Sequence, residues 1–90
     1  MIQSFADDET ELIWQGRRSR KLPADIQGIA LRKLHAARAL QDLRVPPGNR
    51  LEKLKGNRAG QYSIRVNDQW RVCFRWERGD AHAVSIVDYH

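Results

Sequence analysis

The chain has 90 residues and a mass of 10.5 kDa, which is the size of one small domain. Hydrophobic residues make up 41% and charged residues 30%, a balance that excludes a disordered chain, and no apolar run approaches the roughly 20 residues that span a bilayer. The net charge is +5, and the N-terminus lacks the long apolar stretch of a signal peptide. We expect a cytoplasmic protein in which residues 1–90 form one domain.

A short strand and a short helix are predicted at the N-terminus. Residues 2–5 are apolar enough for a strand. Asp8 and Glu11 then have the spacing of a helix N-cap and its partner three residues later, and Gly16 ends this helix.

A second, longer helix is predicted from Pro23 to about Leu43. Proline suits the first turn of a helix, and apolar residues follow it at helical spacing. These apolar residues are Ile26, Ile29, Ala30, Leu34, Ala37 and Leu40. The prolines at positions 46 and 47 prevent the helix from continuing.

Three strands are predicted after a basic loop, where the periodicity changes to alternation of apolar and polar residues. The three runs are residues 62–66, 70–76 and 81–89. A three-residue loop at 67–69 pairs Ile64 with Val72 and keeps one face apolar, whereas a two-residue turn would bring Arg71 onto the face of Ile64. The three-residue loop also places Arg65 opposite Arg71 on the polar face.

The predicted architecture is an α+β fold in which the two N-terminal helices pack on one face of a small antiparallel sheet. The polar face would then be open, with Arg65 and Arg71 repelling each other and Arg75 two positions along. Arg65 and Arg71 either bind a phosphate, or splay into solvent or pair with Glu77 or Asp88. On the phosphate-binding interpretation, we expect Arg71→Ala to leave stability unchanged or slightly improved.

The distribution of charge also favours an anionic partner. The first 16 residues contain four acidic residues and neither lysine nor arginine, so residues 17–90 contain all sixteen basic residues against seven acidic ones, a net charge of +9. Most of these are arginines, whose planar guanidinium suits phosphate oxygens. The distribution favours a polyanion or an acidic protein as partner, with a merely solvated basic surface as the alternative.

The potential metal ligands are too widely spaced to predict a metal site, and we expect no other cofactor. His35, His82 and His90 are far apart in the sequence, and Cys73 is the single cysteine. No phosphate-binding glycine loop and no recognisable serine or cysteine nucleophile motif is present.

The C-terminal residues Asp88-Tyr89-His90 are the strongest candidates for acid–base chemistry. Histidine exchanges protons near neutral pH, and tyrosine offers a hydroxyl and a ring on which a base can stack. Together with Lys55 and the arginines, these groups suit metal-independent RNA cleavage, in which the ribose 2′-oxygen attacks the adjacent phosphate and cations stabilise the charged transition state. A frayed terminus without function is the alternative.

Three stretches, residues 2–5, 49–74 and 86–90, resemble the HigB toxins of the RelE/ParE superfamily, especially the GraT-like branch, the plasmid maintenance system killer group. The most specific parts are NRLEKLKGNRAGQYSIRVNDQWRVCF and the terminal Asp-Tyr-His. The resemblance implies a microbial-RNase-like RelE/ParE fold and a toxin that inhibits translation by cleaving mRNA in the ribosomal A site. It also implies a HigA-type helix-turn-helix antitoxin, through which the complex binds operator DNA, and no membrane partner.

The resemblance also assigns roles to individual residues. Lys55 matches the active-site lysine, Arg71 the phosphate-binding arginine, and Asp88, Tyr89 and His90 the C-terminal catalytic set, with His90 transferring the proton. One relative has a histidine near the lysine, where this sequence reads Lys53-Leu54-Lys55. We add four RNA-binding candidates, namely Arg65, which the predicted hairpin pairing places opposite Arg71, and the basic residues Lys53, Arg58 and Arg75.

Two other functions remain open at this point. The same fold serves gyrase poisons of the ParE type, and the basic segment alone would suit a non-catalytic RNA- or ribosome-binding domain. Lys55 and the terminal Asp-Tyr-His favour RNA cleavage, because a gyrase poison needs no terminal acid–base group.

Overall fold

The structure is a computed structural model that describes residues 1–23 and 28–88. These residues form two short α-helices and a four-stranded antiparallel sheet whose strands are adjacent in chain order. The helices are α1 (Asp8–Trp14) and α2 (Ile29–Ala36), and the strands are β1 (Glu52–Lys53), β2 (Gln61–Arg65), β3 (Trp70–Glu77) and β4 (Asp80–Asp88). The predicted α+β class is confirmed. Ile26 of the predicted helix, and Tyr89 and His90, lie outside the described residues.

The predicted register of the central hairpin is confirmed. Ile64 lies opposite Val72, and Arg65 lies opposite Arg71. The side chain of Asn67 shapes the loop, because its Oδ1 accepts hydrogen bonds from the backbone N–H groups two and three residues ahead, at 2.9 and 2.8 Å. One face of the hairpin is therefore apolar and packs into the core.

The first helix begins one residue earlier than predicted. Asp7, not Asp8, is the N-cap, and its Oδ1 accepts a hydrogen bond from the backbone N–H of Thr10 at 2.7 Å. Gly16 follows the helix with a φ of +78°, which glycine adopts without strain, as the sequence predicted.

The second helix ends at Ala36, well before the predicted end at Leu43. The carboxylate of Asp42 accepts hydrogen bonds from the backbone N–H groups of Arg38 and Ala39, both at 3.0 Å. These bonds hold the chain in a turn that leads into a 3₁₀ helix at Leu40–Arg44. The apolar residues that were predicted to lie on one helix are therefore divided between α2 and this 3₁₀ helix.

Two segments differ in their pairing from the predicted strands. Residues 2–5 contact β4 through two isolated parallel bridges, Ile2 with Ala81 and Phe5 with Val84. The short strand β1 pairs with β2 inside the predicted basic loop. Its two charged residues carry no strand periodicity that a sequence analysis can detect.

The core lies between the helices and the apolar face of the sheet. Its fully buried large side chains include Leu31, Leu34, Leu43, Ile64, Val72, Phe74 and Val84. Thr10 of α1 is also fully buried, and its hydroxyl accepts a hydrogen bond from the backbone N–H of Ile86 in β4 at 2.9 Å. This bond attaches α1 to the outer edge of β4. None of the helices in the described residues is long and apolar enough to cross a membrane.

We expect Thr10→Val to lower the free energy of unfolding by about 1–3 kcal/mol, because the buried N–H of Ile86 would lose its acceptor. Urea unfolding measures the change, and Thr10→Ser, which keeps the hydroxyl, is the matched control. A valine variant as stable as the wild type would show that this bond contributes nothing to stability.

Candidate active site

A cleft of about 280 Å³ lies at the end of the sheet next to the loop at 67–69. It is lined by three arginines, two carboxylates and an amide, namely Arg50, Arg65, Arg71, Glu52, Asp68 and Asn67. Both helices contact β4, whereas Glu52 of the cleft belongs to β1 at the opposite edge of the sheet. The acidic helix α1 is therefore at the other edge of the sheet from the cleft.

Arg71 is buried on this polar face, with 7% of its surface exposed. Its Nε donates to the hydroxyl of Ser63 at 2.8 Å, and its Nη2 donates to the carbonyl oxygens of Ser63 and Arg50. Its Nη1 lies 4.0 Å from a carboxylate oxygen of Glu52. The guanidinium is thus held by β2 and by the chain at positions 50–52.

The predicted open polar face with two repelling arginines is therefore wrong around Arg71. The chain at positions 50–52 covers it, and Arg50 has a φ of +46° at the point where its carbonyl oxygen accepts from Arg71. Arg65 forms an ion pair with Asp68, whose side chain is 98% exposed. Backbone carbonyls and carboxylates therefore offset the two positive charges, and the expected gain in stability from Arg71→Ala loses its physical basis.

The other basic candidates lie outside the cleft lining among the described residues. Lys53 in β1 and Lys55 just after it are exposed. Arg58 donates to the side-chain oxygen of Gln61 at 3.3 Å. Arg75 is about half exposed, and its Nη1 lies 4.0 Å from a carboxylate oxygen of Glu77.

Cys73 is fully buried opposite Ser63 on the polar face of the sheet. Burial raises the pKa of its thiol, although the positive charges of Arg58 and Arg71 act in the opposite direction. A thiol that stays protonated is a poor nucleophile. Cys73 therefore packs the sheet, and the two arginines are close enough to influence its charge.

Asp88 lies at the same end of the sheet as Arg71 but on the other face. It pairs with Trp70, whereas Arg71 pairs with Val87, and its Oδ2 accepts a hydrogen bond from the side chain of Gln69 at 3.1 Å. The structure thus places Asp88 at the cleft's end of the sheet, on the face opposite Arg71. Tyr89 and His90 follow it directly in the sequence, outside the described residues.

Sequence reasoning missed four cleft residues, Arg50, Glu52, Asn67 and Asp68. Asp68 is three positions after Arg65, a spacing that allows an ion pair across a tight loop, so its contact could have been predicted. Arg50 and Glu52 reach the cleft through the fold of the segment before β2, for which the sequence carries no local signal. The lining carries three guanidinium groups against two carboxylates, and this excess of one positive charge favours an anion such as a phosphate.

Comparison with known proteins identifies the family. A family model described as the RelE-like toxin of type II toxin-antitoxin system HigB matches residues 3–90. Toxin HigB-1 of Vibrio cholerae is 45% identical over 85 residues, which cover 90% of each chain, and Endoribonuclease HigB of Proteus vulgaris is 32% identical over 93 residues, covering 100% of each. The resemblance predicted from the sequence is thus confirmed. The chain belongs to the HigB-like family of RelE-like toxins, the toxins of type II toxin-antitoxin systems, which act together with an antitoxin partner.

Proposed function

We propose that the protein is an endoribonuclease toxin that cleaves mRNA in the ribosomal A site and so inhibits translation. The observation that carries the proposal is the cleft in which Arg65 and Arg71 face each other across β2 and β3. The name of the Proteus vulgaris relative, Endoribonuclease HigB, supports the same reaction. Single-turnover cleavage of ribosome-bound mRNA by the purified protein tests it.

The reaction needs cations around one phosphate and two proton transfers. Attack of the ribose 2′-oxygen on the adjacent phosphorus forms a bond, and the bond to the leaving 5′-oxygen then breaks. In this proposal Arg71 and Arg65 hold the phosphate oxygens, and the extra negative charge of the transition state strengthens those contacts. One group removes the 2′-proton and another protonates the 5′-oxygen.

The family resemblance supplies the candidates for proton transfer. We assign it to His90, with the hydroxyl of Tyr89 and the ammonium of Lys55 as the other candidates for proton transfer. Asp88 lies on the opposite face from Arg71 and accepts from Gln69. Its role is therefore to hold the end of β4 next to the loop at 67–69, where the terminal residues begin.

The proposed partners are the ribosome with its mRNA and a HigA-type antitoxin. The ribosome positions the RNA, so a small site needs to supply only part of the catalytic geometry. The antitoxin is a helix-turn-helix protein that covers basic surface of the toxin and carries the complex to operator DNA. The acidic residues of α1 lie at the far edge of the sheet, away from the proposed RNA path.

Replacing Lys53 and Lys55 together by glutamate is expected to abolish ribosome binding and to leave the melting temperature nearly unchanged. Both side chains are exposed, so the fold loses little, whereas contacts to phosphate that release counterions are lost. Co-sedimentation with ribosomes at several salt concentrations measures the effect.

The matched control reverses Arg17 and Arg18, which are also exposed and follow α1. This pair of substitutions changes the net charge by the same amount and should weaken binding much less. Undiminished co-sedimentation of the Lys53 and Lys55 variant would remove this loop from the RNA-binding surface.

A further inference from the structure

We propose that the guanidinium of Arg50 binds a phosphate of the mRNA in the cleft. The inference rests on the proposed function, because it adds a binding residue to the same site. Arg50 is not among the residues that the sequence predicted for the site, and its assignment comes from the charges and the backbone around it.

Arg50 carries the positive charge that the cleft lining has in excess. Of the other two arginines in the lining, Arg65 forms an ion pair with Asp68, and the Nη1 of Arg71 lies 4.0 Å from a carboxylate oxygen of Glu52. In the part of the chain that the structure describes, the side chain of Arg50 forms neither an ion pair nor a hydrogen bond. An anion that enters the cleft can therefore bind Arg50 without first displacing Asp68 or Glu52.

The backbone of Arg50 is held from both sides. Its N–H donates to the carbonyl oxygen of Pro47 at 3.1 Å, and its carbonyl oxygen accepts from the guanidinium of Arg71. The preceding residue, Asn49, is buried, and its Nδ2 donates to the carbonyl oxygens of residues 43 and 45, at 3.2 and 3.3 Å. The exposed Arg50 thus extends from a fixed point in the wall of the cleft. Binding a phosphate therefore restricts only the side chain and does not have to order the loop.

The left-handed backbone of Arg50 allows binding and stability to be tested separately. Its φ is +46°, and Arg78, which is also exposed, has a φ of +53° in the turn between β3 and β4. Glycine adopts such values with less strain than arginine, so glycine at either position should leave the melting temperature unchanged or slightly raised. Arg78 lies at the end of β3 opposite to Arg71 and the cleft. The two arginines therefore match in charge, exposure and backbone, and differ in their position relative to the cleft.

We expect Arg50→Gly to lower kcat/KM for cleavage of ribosome-bound mRNA by about 10- to 100-fold, the loss typical of one hydrogen bond to a charged group. Its affinity for ribosomes that carry mRNA should also depend less on salt, with a log–log slope smaller by about one, because one phosphate contact is lost. The matched control, Arg78→Gly, should keep the wild-type rate and slope. Arg50→Lys should keep the slope and recover only part of the rate, since it retains the charge without the planar fork.

The outcomes separate this inference from the proposed function. If the wild type cleaves and the two glycine variants cleave and bind alike, the inference is overturned and the proposed function stands, because any shared loss then reflects net charge alone. If the wild type does not cleave ribosome-bound mRNA, the proposed function is wrong, and the salt slope alone decides whether Arg50 binds phosphate. Should Arg50→Gly melt at a lower temperature than the wild type, Arg50→Asn carries the test, since asparagine also adopts a positive φ and has no charge.

Discussion

Replacing Arg71 by alanine is expected to lower the rate of mRNA cleavage by about 100- to 1,000-fold, the usual cost of removing one fixed donor to a charged transition state. The same change should lower the free energy of unfolding by about 1–3 kcal/mol. Both effects follow from its position, because the side chain is buried, bonded to Ser63 and to the carbonyl of Arg50, and lines the cleft.

Arg71→Lys separates charge from geometry. Lysine keeps the positive charge but lacks the planar fork. We therefore expect this variant to retain ribosome binding but to cleave mRNA nearly as slowly as the alanine variant. Arg17→Ala, which removes an exposed arginine after α1, is the control for the loss of one positive charge. Single-turnover cleavage and urea unfolding are the measurements. An alanine variant that cleaves like the wild type would exclude Arg71 from the phosphate site.

Deleting His90 is expected to reduce cleavage by about 100- to 10,000-fold, the range for a positioned general acid or base. Stability should change by about 0.5 kcal/mol or less, as is usual for the loss of one terminal residue. Ribosome binding should persist, because the cations that hold the phosphates remain. His90→Gln should match the deletion, since an amide cannot exchange a proton, and Tyr89→Phe should be milder because the ring is kept.

Single-turnover cleavage of ribosome-bound mRNA at several pH values checks these expectations for each variant. A His90 deletion that cleaves at more than about a tenth of the wild-type rate would show that this histidine does not carry the proton. Lys55 or Tyr89 would then be the candidates for that role, and the terminal residues would serve packing or antitoxin binding.

The register of the central hairpin could be predicted because a one-residue shift would move every apolar side chain to the wrong face. Pairing Ile64 with Val72 keeps the core face apolar, and that requirement alone selects the three-residue loop and places Arg65 opposite Arg71. The alternation of apolar and polar residues is thus sufficient to locate two residues of the candidate site.

The burial of Arg71 could not be predicted, because it depends on a segment that is distant in the sequence. The carbonyl oxygen of Arg50 and the carboxylate of Glu52 reach the guanidinium from the chain before β2. Periodicity reports which face of a strand is apolar, but it does not report what covers the polar face. That Arg71 binds phosphate remains a prediction. Its surroundings differ from those predicted, because the side chain is buried and not open to solvent.

The position of Asp88 depends on an irregularity in the last hairpin. Arg78 and Gly79 both have positive φ, as a two-residue hairpin turn requires, and a regular ladder from that turn would place Ile86 opposite Arg71. The pairing instead shifts between Cys73 and Arg75, so Val87 lies opposite Arg71 and Asp88 moves to the other face. Ala81 and Val84 are both fully buried although their positions differ by an odd number of residues, which the bulge makes possible.

The central claim is tested most directly by mapping the 5′ ends of mRNA after the purified protein is added to a reconstituted translation reaction. We predict new ends inside the codon that occupies the ribosomal A site, with the same RNA left intact when ribosomes are omitted. Arg71→Ala should yield almost none of these ends, and Arg17→Ala should yield all of them. Intact mRNA would contradict the account. Intact mRNA on ribosomes that retain the protein would indicate a non-catalytic binding domain, and intact mRNA together with gyrase-dependent DNA breaks would indicate a gyrase poison.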